Sequence, residues 1–293
     1  MILLDDEEKY VPSAADFSPL VAVLWMLGAF ATMVSLAFVL LSVSPESRSD
    51  LVGLGIVSAA AFVFVSALLV GRYPSGSRLA QAVGLRAIRP VTWPLALLIG
   101  ILSQVPAEAI QRAVDRSWPL SASQLAARSE MLRAESTLEG WALVFVIALL
   151  VPLSEEVFFR GAVYGALRRG RVNELRAALI SGLGFAFCHF NARLLLPLVL
   201  VACILGLLRS VSGSLWPALI AHIGFNSVPV LSNVLGLDLQ ADLPWLWQAV
   251  SLAVLGLLVG GCMVYVRQDP LSVMNRSEEA QDGASHIEEV RHA

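Results

Sequence analysis

The sequence predicts an all-α fold, a polytopic bundle of about eight transmembrane helices with both termini in the cytoplasm. Three observations predict it. Hydrophobic residues make up 57% of the 293 residues and charged residues only 15%, where a soluble domain carries about a quarter. The apolar residues come in long blocks, which a water-soluble core does not need. Several blocks reach the roughly 20 residues with which a helix crosses the hydrocarbon layer.

Residues 1–19 form a cytoplasmic segment that opens on Asp5, Asp6, Glu7 and Glu8, the wrong charge for the start of a signal peptide. Segments 20–43, 51–71 and 243–266 are spans without a charged residue. A shorter candidate, 90–107, is punctuated by Pro90, Pro94 and Pro106. Four further spans, 140–168, 174–190, 193–208 and 214–237, are apolar but interrupted. From 108 to 139 the charge is mixed, with Arg112, Asp115, Arg116, Arg128, Glu130, Arg133 and Glu135. That stretch reads as an interfacial amphipathic helix or a solvated loop. The expected units are therefore 20–139 (the first helices and this loop), a core over 140–237, a last helix within 238–266 and a cytoplasmic tail. The tail, 267–293, is polar and aperiodic and is expected to be disordered, with His286 and His292 incidental.

Orientation follows from the arginines, which favour cytoplasmic loops. Even-numbered loops with their flanks hold Arg72, Arg78, Arg86, Arg89, Arg168, Arg169, Arg171, Arg176 and Arg209, and Arg267 follows the last span. Odd-numbered short loops hold only Arg48 and Arg193. The expected location is the cytoplasmic (plasma) membrane. The net charge of -3 presents no basic surface for nucleic acid. Cys188, Cys203 and Cys262 have neither zinc-site spacing nor an even count for disulfides.

Ionisable residues inside a span cost about 2.5 to 3.5 kcal/mol each on insertion scales, and three spans carry them. The fourth holds Glu155, Glu156 and Arg160, the fifth ends in His189, and the seventh contains His222 and Asn226. Glu156 and Arg160 are four apart and pair on one helix face. Glu155 is rotated from Glu156 by about 100°, which leaves it free for chemistry. His222 and Asn226 also share a face. Burial makes a carboxylate a better proton acceptor near neutral pH. Glu155, assisted by His189, can then take a proton from water, while His222 and Asn226 donate to the oxyanion of a tetrahedral intermediate. A Cys188 thiol diverges from His189 by about 100°. A Ser214–His222 dyad is excluded because eight helical residues span about 12 Å.

Glu155-Glu156-x-x-x-Arg160, Phe185-x-x-x-His189 and His222-x-x-x-Asn226, the last introduced by Ser214-Leu215-Trp216-Pro217, resemble the three motifs of the CAAX protease and bacteriocin-processing family, also called the abortive-infection family. The resemblance covers about 141–226. It implies an all-helical intramembrane endopeptidase of about eight spans, with the first motif glutamate as base and the histidines and asparagine positioning water and stabilising the oxyanion. Glu156 and Arg160 are structural support. The implied partners are the lipid bilayer and a peptide or protein substrate, lipidated for those relatives that trim prenylated C-terminal tails. No cofactor is required by this scheme. A zinc version, with Glu155, His189 and His222 as ligands, uses a legitimate catalytic set, although no HExxH is present. A non-catalytic transporter, immunity or scaffold protein also uses intramembrane Glu, His and Arg, but the inverted repeats of a transporter are not found.

Overall fold

A chain in an apolar medium must satisfy its backbone polar groups internally, and the helix does so within one segment. The computed structural model describes residues 17–43, 51–73, 79–131, 136–237 and 244–278, and among these there is no strand. Besides a single turn at Leu79–Ala82, the helices among the described residues are α1 (Pro19–Val43), α2 (Leu51–Arg72), α3 (Thr92–Ser117), α4 (Ala122–Met131), α5 (Thr137–Arg169), α6 (Glu174–Cys188), α7 (Leu195–Ser212), α8 (Trp216–Val234), α9 (Trp245–Gln268) and α10 (270–278). The all-α bundle expected from the apolar blocks is what the chain forms.

Among the described residues the eight expected spans correspond to eight long helices, six of which are long and apolar enough to cross a membrane: α1, α2, α3, α5, α7 and α9 over Gln248–Gln268. The two that fall short lie among the four interrupted spans. α6 has 15 residues, about 22 Å at 1.5 Å per residue, against a hydrocarbon core of about 30 Å. α8 has 19 residues, but His222, Asn226 and Asn233 lower its hydropathy.

Local sequence explains the helix ends. Ser136 Oγ accepts from Glu139 N at 3.2 Å, an N-cap that starts α5 three residues before the apolar run. Asn173 Oδ1 accepts from Arg176 N at 2.9 Å and starts α6. Gly213, at φ 63°, closes α7 in the left-handed conformation. α3 runs through Pro106 to Ser117, so Arg112, Asp115 and Arg116 are its last turns and not loop. Gln111 Nε2 donates to Asp115 Oδ1 at 3.0 Å and Glu108 pairs with Arg112 at 3.9 Å, contacts that carry the helix beyond the proline. It ends at Trp118, before Pro119.

Of the tail expected to be disordered over 267–293, residues 267–278 are instead largely helical. α9 reaches Gln268, and α10 follows with Asp269 as its cap, the Asp269 Oδ2 accepting from Ser272 N at 3.3 Å. Pro270 at the first helical position has no N–H to leave unsatisfied. α10 docks on the 84–89 loop and the end of α7. Arg86 Nη1 donates to the Asn275 carbonyl at 2.8 Å, Asn275 Nδ2 donates to the Ala87 carbonyl at 3.0 Å, Arg89 pairs with Asp269, and Arg276 reaches the Val211 carbonyl. Residues 279–293 with His286 and His292, the acidic start of the chain, Arg48, Arg78, Arg133 and Glu135 lie outside the described residues. Three arginines counted as loop cations are not solvated: Arg86, Arg169 and Arg209 are buried.

The buried apolar residues form two clusters, both of which reach α7. Phe158, Phe159, Val163 and Leu167 pack with α1, α2 and α6 around Phe62 and Ala22. A second cluster joins α3, α7, α8 and α9 around Ile99, Leu205, Ala218 and Cys262. α8 lies tightly on α3. A Cβ on Gly100 would collide with the Ala221 carbonyl, and one on Gly224 would lie 2.7 Å from the Leu97 carbonyl. Small residues on either side of His222 thus let two helix backbones touch and aim the imidazole at α5.

Candidate active site

Glu155 and Glu156 end a six-residue α-helical stretch, Val151–Glu156, set between two π-helical stretches, Val144–Leu150 and Val157–Val163. Bonds of the i→i+5 type are rare and gather at functional sites. The first wide turn has a covalent cause. Val151 N donates five residues back to the Val146 carbonyl. The next donor in that register would be Pro152, which has no N–H, so the Ile147 carbonyl loses its backbone partner. Asn226 Nδ2, from α8, donates to it at 3.0 Å. In the second wide turn Tyr164 N donates to the Phe159 and Gly161 carbonyls and passes over that of Arg160. The Arg160 carbonyl accepts from Arg209 Nε of α7 at 3.0 Å.

Between these ties sits a chain of four ionisable side chains. Arg160 Nη1 donates to Glu156 Oε1 at 2.8 Å, with both side chains fully buried. The pairing expected from the i, i+4 spacing is present. Arg160 Nη2 donates to the Ala202 carbonyl at 3.3 Å, and the guanidinium lies 4.7 Å from the Phe185 ring centroid. Glu156 Oε1 is also 3.0 Å from His222 Nδ1. A carboxylate oxygen already receiving one donor accepts a second, so Nδ1 carries the ring proton in this contact. His222 Nε2 is then directed at Glu155 Oε2, 3.7 Å away. Glu155 thus takes no part in the Glu156–Arg160 pair, yet it faces the same imidazole from outside hydrogen-bond range. The imidazole touches both carboxylates because its two nitrogens lie on different edges of the ring.

His189 is placed differently. It caps α6, is exposed, and its Nδ1 donates to the Phe185 carbonyl at 2.9 Å. It makes no ion pair or hydrogen bond with Glu155 or Glu156. Phe185 joins it to the others, with its ring centroid 4.9 Å from that of His189 and 5.5 Å from that of His222. In the sequence Phe185 is only a motif position, yet its ring touches Arg160, His189 and His222. Asn226, expected as an oxyanion donor, commits one amide N–H to Ile147. Burial falls from Glu156 and Arg160 through Glu155 (5% exposed) and His222 (3%) to half-buried Asn226 and exposed His189. The outer face of the group is therefore the His189 and Asn226 side.

The donor set named for zinc is not gathered. Among the described residues no three His, Cys, Asp or Glu side chains are disposed to hold a metal ion. Glu155 and His222 are neighbours while His189 stands apart, so the residues as arranged do not fit that centre. Cys188 and Ser214 have other surroundings: Cys188 Sγ faces the Met26 carbonyl at 3.8 Å, and Ser214 Oγ donates to the Arg86 carbonyl at 2.7 Å.

A multi-pass helical membrane protein with two carboxylates, an imidazole and an arginine buried among its spans is the class that fold and site define. Residues 137–228, about a third of the chain, match the family model of the Rce1-like type II CAAX prenyl endopeptidases, in agreement with the resemblance read from the three motifs. No curated protein and no solved structure matches the chain. The matched region runs from the first turn of α5 through Asn226, so it contains every residue of the group described above. The match supports a membrane-embedded endopeptidase of the CAAX type.

Proposed function

We propose that this protein hydrolyses peptide bonds within the membrane, with Glu155 as the base that activates water. The observation that carries the proposal is the buried chain Arg160–Glu156–His222–Glu155, which holds one imidazole between two carboxylates. Two carboxylates and two bases sum to zero charge when His222 carries both ring protons, and an unbalanced buried charge is costly. In that form Nδ1–H serves Glu156 and Nε2–H faces the side of Glu155. A water beside Glu155 gives it a proton as the water oxygen bonds to the substrate carbonyl carbon. The oxyanion so formed takes hydrogen bonds from His222 Nε2–H and the second amide N–H of Asn226. The C–N bond then breaks, and the proton held by Glu155 goes to the departing amine. His189, with Nδ1 on its own helix, presents Nε2 as an acceptor that orients the water. A general base contributes roughly 10²- to 10⁴-fold and one oxyanion donor about 10²- to 10³-fold.

The substrate class comes from the matched family, whose name specifies prenylated CAAX ends. We propose a lipidated peptide, presented from the bilayer of the cytoplasmic membrane. The test is purified protein in lipid nanodiscs with a farnesylated, internally quenched CAAX-type peptide. Glu155→Gln keeps the shape of the side chain but cannot take the proton, so cleavage should fall by roughly 10²-fold or more with insertion intact. A Glu155→Gln rate within a few-fold of wild type sinks the base assignment. Metal content and chelator response of the active protein separate the zinc scheme: stoichiometric zinc with chelator-sensitive cleavage would replace the metal-free one.

A further inference from the structure

Arg209, a loop cation by its place in the sequence, is fully buried at the end of α7. Its Nε donates to the Arg160 carbonyl at 3.0 Å, its guanidinium lies 4.5 Å from the Tyr164 ring centroid, and its other face rests on Gly84. At Gly84, φ is +78°, and an added Cβ would lie 2.7 Å from Arg209 Nη2. The glycine is required there twice, for its backbone conformation and for the space the guanidinium fills. The Gly84 carbonyl in turn accepts from Leu215 N at 2.8 Å, so the turn that leads into α8 shares the same support.

The contact is reciprocal. Arg160 donates its side chain to the Ala202 carbonyl of α7, and Arg209, two turns further along α7, donates to the Arg160 carbonyl. Arg160 is therefore held by one helix at both its main chain and its side chain. The carbonyl that Arg209 takes is the one Tyr164 N passes over in the wide turn. A donor at that point favours the π register of 157–163 over the α register, and the register sets the angle at which Arg160 reaches back to Glu156.

We infer that Arg209 is a positioning residue of this site: through the Arg160 carbonyl it holds the wide turn that aligns Arg160, Glu156 and His222. It touches no substrate. The kinetic arm of the test rests on the endopeptidase reading; the spectroscopic arm does not.

Arg209→Met and Arg209→Lys are compared with wild type in nanodiscs, with Arg176→Met, an exposed arginine on α6, as the charge-loss control. Selective ¹⁵N labelling of the four histidines gives a His222 ring signal, assigned with His222→Gln. Misplacement of a reacting group costs up to about 100-fold, so Arg209→Met should lower kcat on the farnesylated peptide by roughly 10- to 100-fold. KM should stay within about threefold, as for an interaction made only in the transition state. The His222 signal should move. Arg209→Lys should recover little, because an ammonium lacks the planar N–H that reaches the carbonyl while stacking on the ring. Arg176→Met should leave both readouts unchanged. A wild-type His222 signal in folded Arg209→Met overturns the inference, as does kcat within about twofold of wild type. If Arg209→Met does not fold, Gly84→Ala, which displaces the guanidinium without removing it, is decided by the same two readouts. A wild-type protein that does not cleave, with a His222 signal that still moves in Arg209→Met, overturns the endopeptidase reading and supports the positioning role.

Discussion

The buried Glu156–Arg160 pair gives the sharpest division between support and chemistry. Arg160→Met removes the donor 2.8 Å from Glu156 Oε1 and leaves a carboxylate of 0% exposure with His222 as its remaining donor. Breaking a buried pair at one side costs about 3 to 5 kcal/mol. At no more than about 2 to 4 °C per kcal/mol for a chain of 293 residues, the midpoint should fall by up to roughly 6 to 20 °C. Glu156→Met should cost a similar amount, since it strands Arg160 and the Nδ1–H of His222. Joint replacement by Met should cost less than the sum of the two, by about 0.5 to 3 kcal/mol of coupling, because well-packed apolar residues substitute for a pair at little loss. Glu155→Ala should be neutral or stabilising. Its nearest charged partner is at 3.7 Å, outside hydrogen-bond range, and a desolvated catalytic carboxylate is held at a cost in stability. The assay is thermal unfolding in nanodiscs, followed by tryptophan fluorescence and by cysteine accessibility. Equal destabilisation by the three single changes, or strict additivity of Glu156→Met and Arg160→Met, would refute the division.

Three further outcomes follow from the packing. Asn226→Leu should destabilise by about 1 to 3 kcal/mol, the cost of an unpaired buried acceptor, because the Ile147 carbonyl next to Pro152 has no backbone donor in its register. Its melting midpoint checks this, and an unchanged midpoint would mean the tie is idle. Gly100→Ala should lower the yield of folded protein in membranes and its cleavage rate together, since the methyl drives α8 off α3 and takes His222 with it; a wild-type level of both would show the contact to be soft. Truncation after Gln268 should lower the midpoint through loss of the Asn275, Arg276 and Arg89–Asp269 contacts on the 84–89 loop, and an unaltered midpoint would mean α10 is a passive tail.

The transmembrane class was legible because the bilayer acts on composition alone: unbroken apolar runs such as 20–43 and 51–71 have no alternative in water. The Glu156–Arg160 pair was legible because i, i+4 geometry is local to one helix. The candidate residues were conspicuous in the sequence, since Glu155, His189 and His222 stand out against spans that carry no charge. What the residues read one helix at a time did not reveal was their sharing. That one imidazole bridges both glutamates depends on α8 lying against α3 at Gly100 and Gly224, a contact between segments more than a hundred residues apart. The tail misled because α10 has no long apolar run; its one local signal, Asp269-Pro270 as cap and first residue, stands next to a polar stretch.

The sequence by itself determined that long apolar segments leave water and which segments carry ionisable groups that are costly to bury, because both follow from the free energy of single side chains in an apolar medium. Tertiary structure alone decided who partners whom: Asn226 on Ile147, Arg209 on Arg160, Phe185 between His189 and His222. The physical reason is that a hydrogen bond between helices depends on where two backbones cross. That crossing is the joint outcome of glycines, wide turns and packing from four or more segments, none of which can be read alone.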